Sequence, residues 1–251
     1  MSGKKIEVKN LSLCYHTDGE DTLVIENVSF NVYEKEFLTV IGPSGCGKST
    51  LLSVISGILP PTSGHVYING KPIDGHNPTV GYMLQKDHLL EWRSVEKNAF
   101  LGLEIKKNLT FENKEYVLSL LHKYGLGNFL KFYPSQISGG MRQKAALIRT
   151  LAIGPQILLL DEPFSALDFR TRILIADEIK EIISKEEKTA ILVTHDIAEA
   201  ISLSNRVVIF SKRPCSVKEV VEINMPEAKS VERRKDVNFN KYFEKIWKEI
   251  E

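Results

Sequence analysis

Cysteine is scarce in this chain, long apolar runs are missing, and neither sign of charge dominates. The 251 residues include three cysteines, Cys14, Cys46 and Cys215. They are odd in number and far apart, and none sits in a metal-binding spacing, which fits a reducing cytosol better than a secreted disulfide framework. No apolar stretch approaches the roughly 18 residues that a membrane-spanning helix needs. The start, Met1 to Glu7, turns charged at once and carries no apolar signal-peptide core, so membrane contact is expected to go through a partner. Lys and Arg number 33 against 32 Asp and Glu, a formal charge of +1, which gives no support to a nucleic-acid binder. Internal repeats and low-complexity tracts are also missing. What is there is ordinary globular composition, 43% hydrophobic and 26% charged, enough for one large domain or two small ones.

Residues 5–41 read as strands. Ile6, Val8 and Leu11 are separated by polar residues, Val24–Phe30 is rich in β-branched and aromatic types, and Phe37–Ile41 has the apolar character of a strand buried on both faces. A glycine-rich loop follows, then a helical stretch at Ser49–Ile55. Residues 60–64 read as a turn, Val66–Ile68 as a short strand, and Asn69-Gly70 as a hairpin turn. The segment from about 86 to 150 has helical signals and few strand signals. Buried strands return at Ile157–Leu160, Ala190–Val193 and Val207–Phe210. Arg170–Glu187 is an amphipathic helix with Ile175, Ile179, Ile182 and Ile183 on one face. The pattern is an α/β domain over residues 1–225 with a helical insert at about 86–150, followed by a C-terminal amphipathic helix in 226–251. There, Phe239, Tyr242, Phe243, Ile246, Trp247 and Ile250 make one apolar stripe. It suits either docking on the chain's own domain or a partner-binding role.

Gly42-Pro43-Ser44-Gly45-Cys46-Gly47-Lys48-Ser49-Thr50 follows a buried strand and opens a helix, satisfying G-x-x-x-x-G-K-[ST]. Glycines let backbone N–H groups close around phosphate oxygens, and the helix start adds unpaired donors and a positive dipole end. Lys48 can reach the β- and γ-phosphates, and the Ser49 hydroxyl can ligate Mg²⁺. A chance match in a chain this long is on the order of one in a hundred. Cys46 fills a position of free type in the loop. The apolar run Ile157–Leu160 ends in Asp161 and Glu162. Charges avoid the tip of a buried strand unless paired or metal-bound, so Asp161 fits the Mg²⁺ side and Glu162 a position that orients or deprotonates a water.

With Ile137-Ser138-Gly139-Gly140-Met141-Arg142-Gln143, the chain resembles the ATP-binding cassette family, the ATPase subunits of ABC transporters. The resemblance runs from about residue 5 to 225. Ile137 and Met141 depart from the usual LSGGQ signature, while its Ser-Gly-Gly core is intact. The resemblance implies a P-loop NTPase fold of the cassette type: β-rich N-terminal part, inserted helical subdomain. It implies adenine stacking by Tyr15, a Mg²⁺ and coupling contact at Gln85, an interface loop at Ser165–Asp168, and a γ-phosphate contact from His195. It also implies ATP and Mg²⁺ as ligands and a head-to-tail homodimer in which Ser138, Gly139 and Gly140 of one copy cover the other's nucleotide. Asp87–Val95, Met141 and Ser211–Pro214 are similar to the nitrate/sulfonate/taurine importer subfamily, which includes thiamine-precursor importers. Glu91 stands where that group has proline. This likeness implies a membrane permease, an external solute-binding protein served indirectly, and a place on the cytoplasmic side of the membrane. The rival reading is a soluble cassette ATPase, such as one of iron–sulfur cluster assembly. DNA-repair types are set aside because no heptad run separates Lys48 from Asp161, and translation types because only one cassette is present.

Overall fold

A computed structural model describes residues 3–17, 19–75 and 77–250. The strands are β1 (Lys4–Thr17), β2 (Glu20–Tyr33), β3 (Phe37–Ile41), β4 (Ser63–Ile68), β5 (Lys71–Pro72), β6 (Val80–Met83), β7 (Ile157–Asp161), β8 (Thr189–Thr194), β9 (Arg206–Phe210) and β10 (Val217–Glu222). The helices are α1 (Lys48–Ile55), α2 (Val95–Ile105), α3 (Phe111–Lys123), α4 (Gly139–Leu151), α5 (Phe169–Lys185), α6 (Ile197–Leu203), α7 (Ser230–Arg233) and α8 (Phe239–Ile250). They fall into two compact units, residues 1–78 with 187–251, and residues 79–186.

In the first unit, β2-β1-β4-β5 form an antiparallel sheet. Asn69 and Gly70, with φ of 50° and 73°, close the β4–β5 hairpin as their Asn-Gly pair predicts. The turn before β4 ends sooner than residues 60–64 suggest, because Ser63 and Gly64 are already strand. A Cβ at Gly64 would lie 2.2 Å from the Asn10 carbonyl oxygen, so only glycine fits there. The same unit holds strands in the order β10-β9-β3-β8, with β3 parallel to both β8 and β9. Every residue of β3 and β8 is buried, which accounts for their apolar runs. Ile41 pairs with Thr194 at the carboxyl ends of β3 and β8. Gly42 and His195 therefore leave the sheet side by side.

Helix α6 starts on Asp196, whose carboxylate accepts from the Glu199 N–H at 3.0 Å. Past its other end, the buried Arg233 of α7 donates to the carbonyls of Ser202 and Ser204. That bond satisfies acceptors a helix end leaves orphaned. Helix α8 lies on its own unit. Phe239 and Ile246 are buried in a cluster with Ile41, Ile197, Ile201 and Val221, and Tyr242, Phe243 and Ile250 pack against its edge. Trp247 stays half exposed and stacks on Phe243 with ring centroids 6.1 Å apart.

In the second unit, β6 and β7 pair in parallel from Val80↔Ile157 to Met83↔Leu160. Helices α2, α3, α4 and α5 open on Ser94, Thr110, Ser138 and Asp168, each of which caps its helix by a side-chain bond to a first-turn N–H. Ile175, Ile179, Ile182 and Ile183 form the buried face of α5. Among the described residues no helix is long and apolar enough to cross a membrane.

Candidate functional site

The first unit carries the phosphate loop. The chain leaves β3 at Ile41 and enters α1 at Lys48. Helix α1 opens on Gly47, with φ 127° and no side-chain cap. The first-turn N–H groups of a helix have no intrahelical partner, so an uncapped start aims donors and a positive dipole end at whatever sits in the loop. Only glycine takes this backbone readily, and a Cβ at Gly47 would meet Val24 Cγ1 at 2.9 Å and Cys215 Sγ at 3.2 Å. At the other end, a Cβ on Gly42 would lie 2.9 Å from Phe210 Cβ. Lys48 is buried and its ammonium donates to the carbonyls of Gly42 and Pro43 at 2.8 and 2.9 Å. Neither carbonyl cancels its charge, and a phosphate anion would.

Ser44, Gly45 and Ser49 are exposed, and Pro43 and Thr50 are partly so. Cys46 faces inward, 2% exposed, and burial pushes its thiol up. Burial pushes Cys215 up to about 12. Both thiols stay protonated near neutrality and are poor nucleophiles. Tyr15 stands on β1 opposite Thr22 and is 40% exposed. His195 follows β8 and is exposed, while Thr194 before it donates to buried Glu199 and accepts from the Asp196 N–H. A groove of about 470 Å³ is lined by Gly42, Pro43, Ser44 and His195 together with Trp247 and Ile250 of α8. The terminal stripe thus ends against the phosphate loop, a neighbour that its periodicity did not reveal.

The second unit carries the remaining residues. Asp161 ends β7, 7% exposed, and accepts from the Tyr82 hydroxyl at 3.2 Å. Glu162 follows with φ 43°, a left-handed backbone uncommon outside glycine. Its carbonyl accepts from the Ser165 N–H at 3.2 Å and the Ser165 hydroxyl at 3.0 Å, which hold that turn. Asp168 caps α5 through the Thr171 N–H, and hydrogen bonds from the Thr171 hydroxyl and then from that N–H lower its carboxyl below the ordinary value. Ser138 is exposed and its hydroxyl accepts from the Met141 N–H at 3.3 Å. Behind it, a Cβ on Gly139 would meet Leu167 Cδ2 at 2.9 Å and one on Gly140 would meet Ile175 Cδ1 at 2.6 Å. These glycines let the start of α4 lie against the 165–168 loop and α5.

Gln85 is exposed just after β6. The segment after it is fastened by residues that sequence reasoning missed. Arg142 donates to the Asp87 carboxylate at 3.2 Å and to the Ile137 carbonyl at 3.0 Å. Arg149 donates to the carbonyls of Asp87 and His88. Asn98 of α2 is fully buried, accepts from the Leu90 N–H, and donates to the carbonyls of Leu90, Arg93 and Ser94. A fully polar side chain on the buried face of α2 was the available signal. Trp92 projects from this fastened segment, 76% exposed.

A buried strand, an uncapped phosphate-binding loop and a helix define a nucleoside-triphosphate site of the P-loop class. The family model described as ABC transporter matches residues 25–165, more than half of the chain. The ABC transporter ATP-binding protein YtlC of Bacillus subtilis is 42% identical over 247 residues, 98% of this chain and 95% of that protein. The aliphatic sulfonates import ATP-binding protein SsuB of Bacillus cereus is 39% identical over 225 residues, 90% of this chain and 88% of that one. Among solved structures, a dimeric ATP-binding cassette, MJ0796, in a post-hydrolysis state with ADP and Pi aligns with a TM-score of 0.74 at 29% identity. It covers 88% of this chain and 100% of that one. This chain belongs to the ABC transporter family; it is a cassette-type P-loop ATPase that binds and hydrolyses ATP.

Proposed function

We propose that the chain powers solute import as the ATP-hydrolysing subunit of a transporter, working on the cytoplasmic side of the membrane as a head-to-tail pair bound to permease subunits. An external binding protein would deliver the solute to that permease, and a small anion of the sulfonate or nitrate kind is its class. The SsuB relative, matching across 90% of the chain, supports this reading. The dimeric state of the MJ0796 cassette supports the pair.

In this reading Lys48 and the N–H groups of residues 43–50 bind the phosphates, and Tyr15 stacks on adenine. Glu162 orients the attacking water and accepts its proton, and His195 donates toward the γ-phosphate. The Ser49 hydroxyl, the Gln85 amide and the Asp161 carboxylate are oxygen donors of the kind Mg²⁺ takes. Buried Asp161, held by Tyr82, suits such an ion. When bound, Mg²⁺ supplies neutralisation of phosphate charge. The observation that carries the shared site is the exposure of Ser138 at the start of α4, with its glycines packed behind it. That helix start presents donors outward, to a nucleotide held by a second copy.

Mixing Ser138→Arg chains with Lys48→Ala chains tests the pairing. In the heterodimer both substitutions fall on one composite site and leave the other intact, so two inactive preparations are expected to regain phosphate release. Continued inactivity with proven heterodimers counts against it, once Glu162→Gln chains fail to form an ATP-held dimer. Trp92 supplies the exposed apolar surface that a permease helix needs. Affinity purification from membranes is expected to recover a multi-span protein, and Trp92→Asp to lose it. Recovery of the chain from the soluble fraction alone overturns the importer reading.

A further inference from the structure

The β1–β2 hairpin gathers three side chains with metal-ligating atoms. Cys14 and His16 stand two residues apart on β1, and Asp21 stands opposite His16 on β2. One ligand atom from each lies within 4.8 Å of the others. His16 Nδ1 and Asp21 Oδ1 are already 2.7 Å apart. We propose that Cys14, His16 and Asp21 form a binding site for a thiophilic divalent cation of the zinc class, with water in the fourth position.

The donor set selects the ion. A thiolate, an imidazole and a carboxylate suit Zn²⁺, whereas Mg²⁺ and Ca²⁺ take oxygen ligands. This separates the hairpin from the all-oxygen set Ser49, Gln85 and Asp161. Bond lengths of about 2.0–2.3 Å place the ligand atoms of a tetrahedral zinc about 3.3–3.6 Å from one another. Side-chain rotations on the order of an ångström close the present triangle to that size. The ion would take the place of the proton between His16 and Asp21: Nδ1 gives that proton to water while Nε2 takes one up, so the imidazole stays neutral, and the two ligand atoms move slightly apart. Binding breaks the Cys14 S–H bond, forms a metal–sulfur bond and releases one proton to water; nothing is oxidised or reduced.

The backbone presets the site. The antiparallel register sets the His16–Asp21 spacing, and strand alternation puts Cys14 on the same face as His16. Cys14 is partly exposed and His16 and Asp21 are exposed, so an ion can enter from solvent. Cys46 and Cys215 are buried and cannot substitute for Cys14 at the surface. The cysteines carry no metal spacing among themselves because the other two ligands are a histidine and a residue across the hairpin. An exposed His–Asp pair explains two of these residues and gives Cys14 no part.

The position gives the ion a consequence. Tyr15 lies between the two β1 ligands, and strand alternation turns it to the opposite face. An ion that ties β1 to β2 at this point restrains the strand that presents Tyr15. This coupling rests on the adenine role proposed above; the metal site itself does not.

Calorimetric titration of the nucleotide-free chain with Zn²⁺ tests the site directly. One Zn²⁺ per chain is expected, with no competition from Mg²⁺. Co²⁺ substitution is expected to give a thiolate charge-transfer band that Cys14→Ser abolishes. His16→Ala and Asp21→Asn are each expected to weaken Zn²⁺ by at least about ten-fold. These are surface positions, and circular dichroism checks that the variants stay folded. No saturable Zn²⁺ uptake, or uptake unchanged in Cys14→Ser, overturns the proposal. Because no ATP is present, either result stands apart from the fate of the importer reading.

Discussion

Two helices of this ATPase begin in opposite ways. Helix α1 starts on Gly47 with no side chain to cap it, and α4 starts on Ser138, whose own hydroxyl caps the first turn. An uncapped start costs stability unless a ligand supplies the missing acceptor, so α1 is built around what it binds. A capped start has one of its first-turn N–H groups satisfied by its own side chain and keeps the others for a ligand. It can remain exposed until a second surface arrives, its hydroxyl accepting from the Met141 N–H at 3.3 Å. The two starts lie in different units of the chain, so substitutions in each are expected to separate capture of the nucleotide from dimer closure and turnover.

The largest effect is expected at α1. Lys48→Ala removes the buried ammonium, and ATP binding and hydrolysis are expected to fall below detection in nucleotide titration and phosphate-release assays. Undiminished ATP affinity in that variant would break the comparison at its first term. Next, Glu162→Gln in the second unit is expected to keep ATP affinity while turnover drops roughly 10²–10⁴-fold. That is about 3–5 kcal/mol of transition-state stabilisation, and wild-type turnover would remove Glu162 from the chemistry. Third, Gly140→Ala drives a Cβ toward Ile175 Cδ1 at 2.6 Å, and overpacking of this kind costs about 1–3 kcal/mol. Denaturant unfolding reads that loss, and an unchanged midpoint would mean α5 yields. Smallest, Ser138→Ala is expected to cost about 1 kcal/mol of stability as a lost cap. ATP affinity of the single chain should stay constant while turnover falls. A loss of single-chain affinity would erase the distinction between the two starts.

The phosphate loop was legible because its chemistry constrains residue type position by position, and a buried strand leads into it. The stripe at 239–250 was legible because a 3.6-residue period needs no knowledge of a partner. Its proximity to the phosphate loop was not, since periodicity names the buried face and not the surface it meets. Strand β10 escaped notice because Val217–Glu222 is an edge strand carrying Lys218, Glu219 and Glu222, which blur its alternation. Helix α6 is only seven residues long, too short for a period to show. The left-handed backbone of Glu162 leaves no trace in a residue that is not glycine. Polar anchors such as Arg142 on Asp87, 55 residues apart, follow no local pattern at all.

Those anchors turn the stretch from Asp87 to Ser94 into a stiff arm. Asn98 grips its far half through four bonds, and Arg142 and Arg149 grip its near half from α4. If a partner docks on Trp92 as proposed, these bonds leave the loop little freedom to absorb the displacement. Arg142, which bonds both Asp87 of this loop and the Ile137 carbonyl, then ties such a displacement to the backbone one residue from Ser138.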